Sequence, residues 1–203
     1  MAVIKSGATS DQLTIDATSK AARVTLYDTD GNSLAQASTY RGATNSTVVA
    51  AASATAPFFV IYGSASKTLR IQRIRISGPT NVTLAYQGFD IIKYSTAPSG
   101  GTAVALTQVP LDSTDAAATA SLCQVYTAAP TAGTPVGNIG SARIVNKSAT
   151  VVDGSEASVL EWDFRGQGRS GEPTLHGTAQ GVGVELHVAT ATTVSIEVEW
   201  TEE

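Results

Sequence analysis

His176 and His187 are the only imidazoles in this chain, and Cys123 is its only thiol. A serine or cysteine hydrolase needs a nucleophile on a strained elbow such as G-x-S-x-G, a base and an orienting acid; no such elbow occurs here. A lone cysteine forms no disulfide within the chain, and no ligand set of zinc-site type surrounds it. His187 lies next to Glu185 in a run of alternating polarity, opposite the apolar phase, which reads as a surface histidine. Glu161 and Asp163 could pair as acid and base, yet both fall on the wet face of one strand. Glycoside hydrolysis sets its carboxylates across a cleft, from separate elements. The expectation is therefore a non-enzymatic protein with no catalytic, cofactor-binding or metal-ligating residue.

The remaining motifs carry simpler readings. Gly166, Gly168 and Gly171 satisfy G-x-G-x-x-G. A dinucleotide site needs that pattern between a buried strand and a helix whose N-terminus meets the pyrophosphate. Pro173 follows too soon for such a helix, so the segment reads as a loop whose Arg165 and Arg169 could touch a neighbouring subunit. Asp28-Thr29-Asp30-Gly31-Asn32 opens like a calcium loop, but Thr39 stands where the twelfth position requires glutamate, and a hairpin turn fits better. Asp112, Ser113 and Asp115 form a polar loop in which an ion is the minor reading. Lys67, Arg70, Arg73 and Arg75 suit an acidic surface or a sugar, and more simply the solvated face of an edge strand, where charge discourages sheet-to-sheet pairing. The sequons at Asn45, Asn81 and Asn146 are what chance produces in a chain rich in threonine and serine.

Short strands are the elements that must position these residues. Val194, Ile196, Val198 and Trp200 alternate with Ser195, Glu197, Glu199 and Thr201, the period of a strand with one dry and one wet face. Leu160, Trp162 and Phe164 repeat the pattern, as do Val182, Val184, Leu186 and Val188. Phe58 to Tyr62 is apolar throughout, as in a strand buried on both faces. Leu69 and Ile71 share one phase and Ile74 and Ile76 the other, a slip between Gln72 and Arg73 that a β-bulge produces. Gly88 marks a second candidate bulge, between the run Val82, Leu84, Tyr86 and the run Phe89, Ile91, Lys93. Val104 and Leu106 form a further run. All seven prolines fall at the edges of runs or in loops, where no ladder donor is lost. Asp115 to Tyr126 is ambiguous between a helix capped by Thr114 or Asp115 and a strand over Ser121 to Tyr126; the strand is preferred. These signals predict an all-β fold, an antiparallel β-sandwich or jelly-roll-like domain over residues 46–203. Residues 1–45 are more polar, lack Phe and Trp, and predict an extended N-terminal arm or hairpin for attachment or oligomer contact.

Composition narrows the function classes. The chain has 203 residues, enough for one sizeable core. Only 15% are charged, against roughly 25% in an average globular protein. Threonine, present 27 times, suits a pleated half-buried surface. A neutral surface of small residues lets flat faces approach without desolvating many ions, which favours life in an assembly. The net charge of −4 and the pI near 5.2 argue against a nucleic-acid partner. No secretory signal is visible, and no apolar run approaches the ~20 residues that span a bilayer. The expectation is a soluble protein made in a cytoplasm, with no membrane partner.

Several stretches also carry a resemblance. Ser6-Gly7-Ala8-Thr9-Ser10-Asp11 through Lys20 to Asp28, Tyr94-Ser95-Thr96-Ala97 with Gly100-Gly101-Thr102, and Val109-Pro110-Leu111-Asp112-Ser113 are similar to proteins encoded by tailed bacteriophages. Gly177-Thr178-Ala179-Gln180-Gly181 and the ending Glu199 to Glu203 extend the likeness, with residues 127 to 160 matching least. The resemblance is to a mostly uncharacterised, β-rich structural family. It implies a virion component, and it supplies no catalytic residue to carry over. The expected role is capsid decoration, as a cement or head-fibre protein bound to the major capsid protein or another virion protein. Homotrimers suit that setting. The alternatives are a tail-fibre or baseplate component and a carbohydrate-binding module for host attachment. The last would expose aromatics on one face, with Tyr27, Tyr40, Tyr62, Tyr86, Tyr94 and Tyr126 as candidates.

Overall fold

The computed structural model describes residues 14–15, 22–23, 37–44, 48–50, 52–81, 85–148, 159–165, 171–187, 189 and 192–203. The chain forms two compact units, Met1–Gln36 and Ala37–Glu203. In the first, β1 (Thr14–Ile15) and β2 (Ala22–Arg23) pair antiparallel, Thr14 opposite Arg23. Asp28 to Asn32 lies outside the described residues.

The second unit is all-β, two antiparallel sheets packed face to face. In chain order its strands are β3 (Ser38–Ala43), β4 (Val48–Ala50), β5 (Phe59–Tyr62), β6 (Thr68–Asn81) and β7 (Ala85–Tyr94). Then come β8 (Thr102–Ala105), β9 (Thr107–Pro110), β10 (Leu122–Ala128), β11 (Pro135–Ser148) and β12 (Val159–Asp163). The last are β13 (Thr174–His176), β14 (Gly181–Leu186) and β15 (Thr192–Glu202). Sheet I runs β12/β13, β6, β15, β3/β4, β9; sheet II runs β11, β7, β14, β5, β10, β8. A short parallel contact, Lys147 with Thr80 and Ser148 with Asn81, stitches the two together.

The alternating residues do what their period requires. Val194, Ile196, Val198 and Trp200 are buried along β15. Opposite them, Ile74 and Ile76 of β6 turn inward in register with Val198 and Ile196. Trp200 stacks on Tyr40 across the ladder, ring centroids 5.9 Å apart. Sheet II answers with Phe89, Ile91, Val125 and the whole of β5, whose four residues are buried because β10 and β14 flank it and both faces are covered. Full burial of each large apolar side chain contributes about 1.5–3 kcal/mol, so this layer is the chief source of stability.

The bulge in β6 is where its hydrophobic phase slips. The ladder to β15 steps from Arg73–Glu199 directly to Ile71–Trp200, leaving Gln72 unpaired and returning Leu69 and Ile71 to the core. Two expectations need correction. Gly88 is no bulge: its pairing with Arg143 is regular, and a Cβ there would lie 2.5 Å from the His187 Cβ, so the glycine makes room for a cross-strand neighbour. Pro79 is inside β6 rather than at a boundary; it follows Gly78 (φ 62°), in the stretch where the ladder to β15 shifts between Ser77 and Thr80. The strand preferred over Ser121 to Tyr126 is present as β10, and Ala116 to Ala120 leads into it without regular secondary structure. Its path is held by Glu202, discussed below.

Candidate functional site

The outer face of sheet I carries a lattice of ion pairs. Glu199 of β15 receives Arg41 of β3 at 2.8 Å, Arg73 of β6 at 3.2 Å and Arg165 at 3.5 Å. Arg73 also reaches Glu197 at 2.6 Å and Glu161 at 3.5 Å. Arg165 folds back on Asp163 at 2.5 Å, and its side chain and backbone N–H hold that carboxyl down to about 2. Arg70 pairs with Glu203 at 3.2 Å. The arginines expected on an edge strand therefore stand on an interior one, since β6 is hydrogen-bonded to β15 on one side and to β12 and β13 on the other. A period-two pattern says which residues share a face and nothing about a strand's rank in the sheet, which is why the edge reading fails. Glu161 and Asp163 are likewise structural partners of arginine.

The outer face of sheet II is polar and aromatic. His187 Nδ1 lies 2.9 Å from Asp90 Oδ2, and His187 Nε2 is 3.4 Å from the Arg143 guanidinium. Ser141 Oγ donates to Asp90 Oδ1 at 2.5 Å, and Asn138 supports Ser141 at 2.9 Å. Burial works against the Asp90 charge, yet the hydrogen bonds from Ser141, His187 and Asn138 win and its carboxyl titrates below the usual range. This is not the arrangement of a nucleophilic triad: Ser141 hydrogen-bonds the acid, and the other ring nitrogen of His187 faces Arg143. Farther along, Tyr94 Oη donates to Glu185. Burial raises the Glu185 carboxyl above its ordinary value. Of the six tyrosines, Tyr40, Tyr62, Tyr94 and Tyr126 are buried. Tyr86 is 76% exposed, two residues along β7 from Gly88 on the same face. Tyr27 lies outside the described residues.

A cleft of about 450 Å³ opens where the sheets part, lined by Lys93, Ile139, Phe164, Glu172, Pro173 and Thr174. Lys93 Nζ donates to the Thr174 carbonyl at 2.5 Å, and burial lowers its pKa. Glu172 accepts from Gln72 Nε2 at 2.9 Å, so the bulged residue anchors this rim. Gly171, last glycine of the G-x-G-x-x-G pattern, borders the cleft, while Gly166 to Ser170 lies outside the described residues. The chain beyond Gly171 enters strand β13, not the helix whose N-terminus a pyrophosphate site of this pattern requires. Elsewhere, His176 Nδ1 sits 3.3 Å from Thr68 Oγ1. The Cys123 thiol is buried and its pKa is pushed up to about 12 by that burial. Asp112 accepts the N–H and hydroxyl of Thr114 in a local turn, at 2.8 and 2.7 Å.

Two flanks complete the surface. On one, among the described residues, β8 pairs only with β10 and β9 only with β3, and Leu106 is the buried pivot that carries the chain from sheet II to sheet I. Val104, Val109 and Leu111 are 46–48% exposed there. On the opposite flank, β11 and β12 end their sheets among the described strands, with Val136 65%, Ile139 40% and Val159 48% exposed. Trp162 of β12 closes that seam by laying its indole nitrogen against Gly140 of β11, where a Cβ would approach to 3.1 Å. Between Lys93 and Arg143 the sequence holds only two charges, Asp112 and Asp115. Composition shows the low charge, and the fold locates it. Compared with protein-family models, with curated proteins and with solved structures, the chain matches none.

Proposed function

We propose that the protein is a non-enzymatic structural component of a tailed-bacteriophage virion, decorating the capsid as a cement or head-fibre protein through protein–protein contacts. The observation that carries this reading is a pair of flanks studded with exposed apolar side chains and built on the charge-free stretches 95–111 and 135–142, on a sandwich whose outer sheet face is occupied by ion pairs. An edge strand without charge is a template for another chain, and single-chain proteins usually guard it. Repeated copies would then multiply weak contacts through avidity. The sequence resemblance to phage structural proteins points the same way.

The strand order adds support. Taking β3, β5, β6, β7, β11, β12, β14 and β15 as first to eighth, sheet I reads first, eighth, third, sixth, with the sixth beside the third, and sheet II reads second, seventh, fourth, fifth. We read this as a jelly roll to which β4, β8, β9, β10 and β13 are added. Jelly rolls recur in viral capsid and lectin domains, although fold alone does not assign function. Within the assembly the major capsid protein is the natural partner, and the copies form a homo-oligomer, a trimer matching local threefold axes.

A glycan-binding role is the second reading, favoured by Tyr86 standing exposed near Arg143 and His187 on one face. The deciding experiment is immunogold labelling of intact particles whose genome encodes the chain. Label over the head is expected. Label confined to the tail replaces the decoration role with a fibre or baseplate role, and particles without label remove the virion reading.

A further inference from the structure

We infer that the outer face of sheet II is a binding platform for a neutral glycan, with Tyr86 stacking on one sugar ring and Arg143, His187 and Asp90 hydrogen-bonding its hydroxyls. This rests on the second reading above and deepens it by naming the residues and the kind of sugar. The strand register brings these residues together. On β7, Phe89 and Ile91 turn into the core, so the period of two sends Tyr86, Gly88 and Asp90 outward. Gly88 lies opposite Arg143 of β11 on one side, and on the other its carbonyl accepts from His187 N at 2.9 Å. Asp90 stands between Ser141 and Glu185 in the next row. Because Gly88 has no Cβ, Arg143 and His187 lean over it and meet, guanidinium to Nε2, at 3.4 Å.

The cluster is held in place before any ligand arrives. A guanidinium only donates, so His187 Nε2 accepts from Arg143, and Nδ1 carries the proton that it gives to Asp90 Oδ2 at 2.9 Å. Ser141 donates to Asp90 Oδ1, and Asn138 Nδ2 donates to Ser141 Oγ at 2.9 Å. Side chains fixed in this way lose little freedom on binding. Arg143, His187 and Ser141 are exposed, so both donors and acceptors face solvent. Chemistry selects the occupant. Of the exposed large apolar side chains among the described residues, Tyr86 alone stands on β5, β7, β10 or β14, and one ring does not make the apolar centre of a protein interface. Nucleic acid needs cations in excess, whereas Arg143 stands beside two carboxylates, those of Asp90 and Glu185. An anionic glycan meets the same deficit and a chain of net charge −4. A neutral sugar needs what is present: an aromatic ring for its C–H surface, and donors and acceptors side by side for its hydroxyls.

The test presents the full-length chain to an array of neutral, sialylated and sulphated oligosaccharides of animal and bacterial origin. The neutral oligosaccharide with the strongest signal then serves as the probe in calorimetric titration. Binding to neutral oligosaccharides is expected, with weaker signal on the sialylated and sulphated ones. Tyr86→Ala should weaken binding of the probe about tenfold or more, as loss of a central aromatic contact does, while Tyr86→Phe, which keeps the ring, should bind like the wild type. Arg143→Gln should weaken it as well, and serves alone should Tyr86→Ala fail to give the native circular dichroism spectrum. An array without signal on neutral oligosaccharides overturns the inference. So does a preference for the anionic ones, or binding that survives both Tyr86→Ala and Arg143→Gln. A chain that labels the capsid and binds no glycan loses the platform and keeps the decoration role; a glycan-binding chain absent from particles does the reverse.

Discussion

Glu202 shows how one side chain can hold an irregular segment in place. Its buried carboxylate accepts from Thr119 N at 2.9 and 3.0 Å, from Thr119 Oγ1 at 2.7 Å, from Ala120 N at 3.2 Å and from Trp200 Nε1 at 3.0 Å. Those bonds take up the backbone donors of the alanine-rich connection between β9 and β10, which has no ladder there to satisfy them. Glu202→Gln replaces an acceptor of charge-assisted bonds with a group that also donates, so denaturant titration should show a loss of about 1–3 kcal/mol. Cys123 makes a second prediction. The thiol is 3% exposed and remains protonated at neutral pH, and the thiolate is the reactive species. A thiol reagent should leave the native protein unmodified at pH 8 and label it fully in denaturant. Glu185 makes a third. Its protonated form is the one the fold favours, so its contribution is complete below the ordinary carboxyl value and is lost as pH rises through the elevated folded one. Glu185→Gln should flatten the decline in stability over that window, measured by chemical denaturation at successive pH values.

At the scale of elements, glycine placement in β14 records close packing. Tyr62 of β5 and Tyr94 of β7 cover the positions where side chains at 181 and 183 would stand: a Cβ on Gly181 would lie 2.6 Å from the Tyr62 ring, and one on Gly183 would lie 2.9 Å from both Tyr94 and the Phe59 carbonyl. Gly183→Ala should therefore cost about 1–3 kcal/mol. Gly137→Ala, in open space on β11, should change the unfolding midpoint little. The ion-pair lattice of sheet I belongs to this scale too, because it joins β3, β15, β6 and the end of β12. Much of each strand was legible beforehand: the alternation in β15 and the phase slip at Gln72 are local consequences of a two-residue period. What sits opposite what was not. Asp90 had no sequence signal linking it to His187, 97 positions away, and nothing near Glu202 pointed to Thr119.

At the scale of the molecule, the fold is built from distant pairings. β3 near the start of the sandwich lies beside β15 at its end, and β5 beside β14. Loop closure must be completed before such contacts stabilise the chain, so refolding by stopped-flow dilution should fall in the millisecond-to-second range. A microsecond phase carrying the full amplitude would contradict that. The flanks are also a property of this scale: residues 95 to 111 and 135 to 142 become opposite sides of one body only when sheet II is assembled between them.

The sequence by itself determined the secondary-structure class, the buried phase of most strands and the neutral composition of the surface, because side-chain alternation and desolvation cost act over a few residues. Only the tertiary structure decided that the arginine-rich strand is interior, that His187 faces Asp90, and that the charge-poor stretches form two opposed flanks. Those outcomes depend on the order and register of strands, and hydrogen-bonded ladders are nearly indifferent to which apolar strand they join until the whole core is packed.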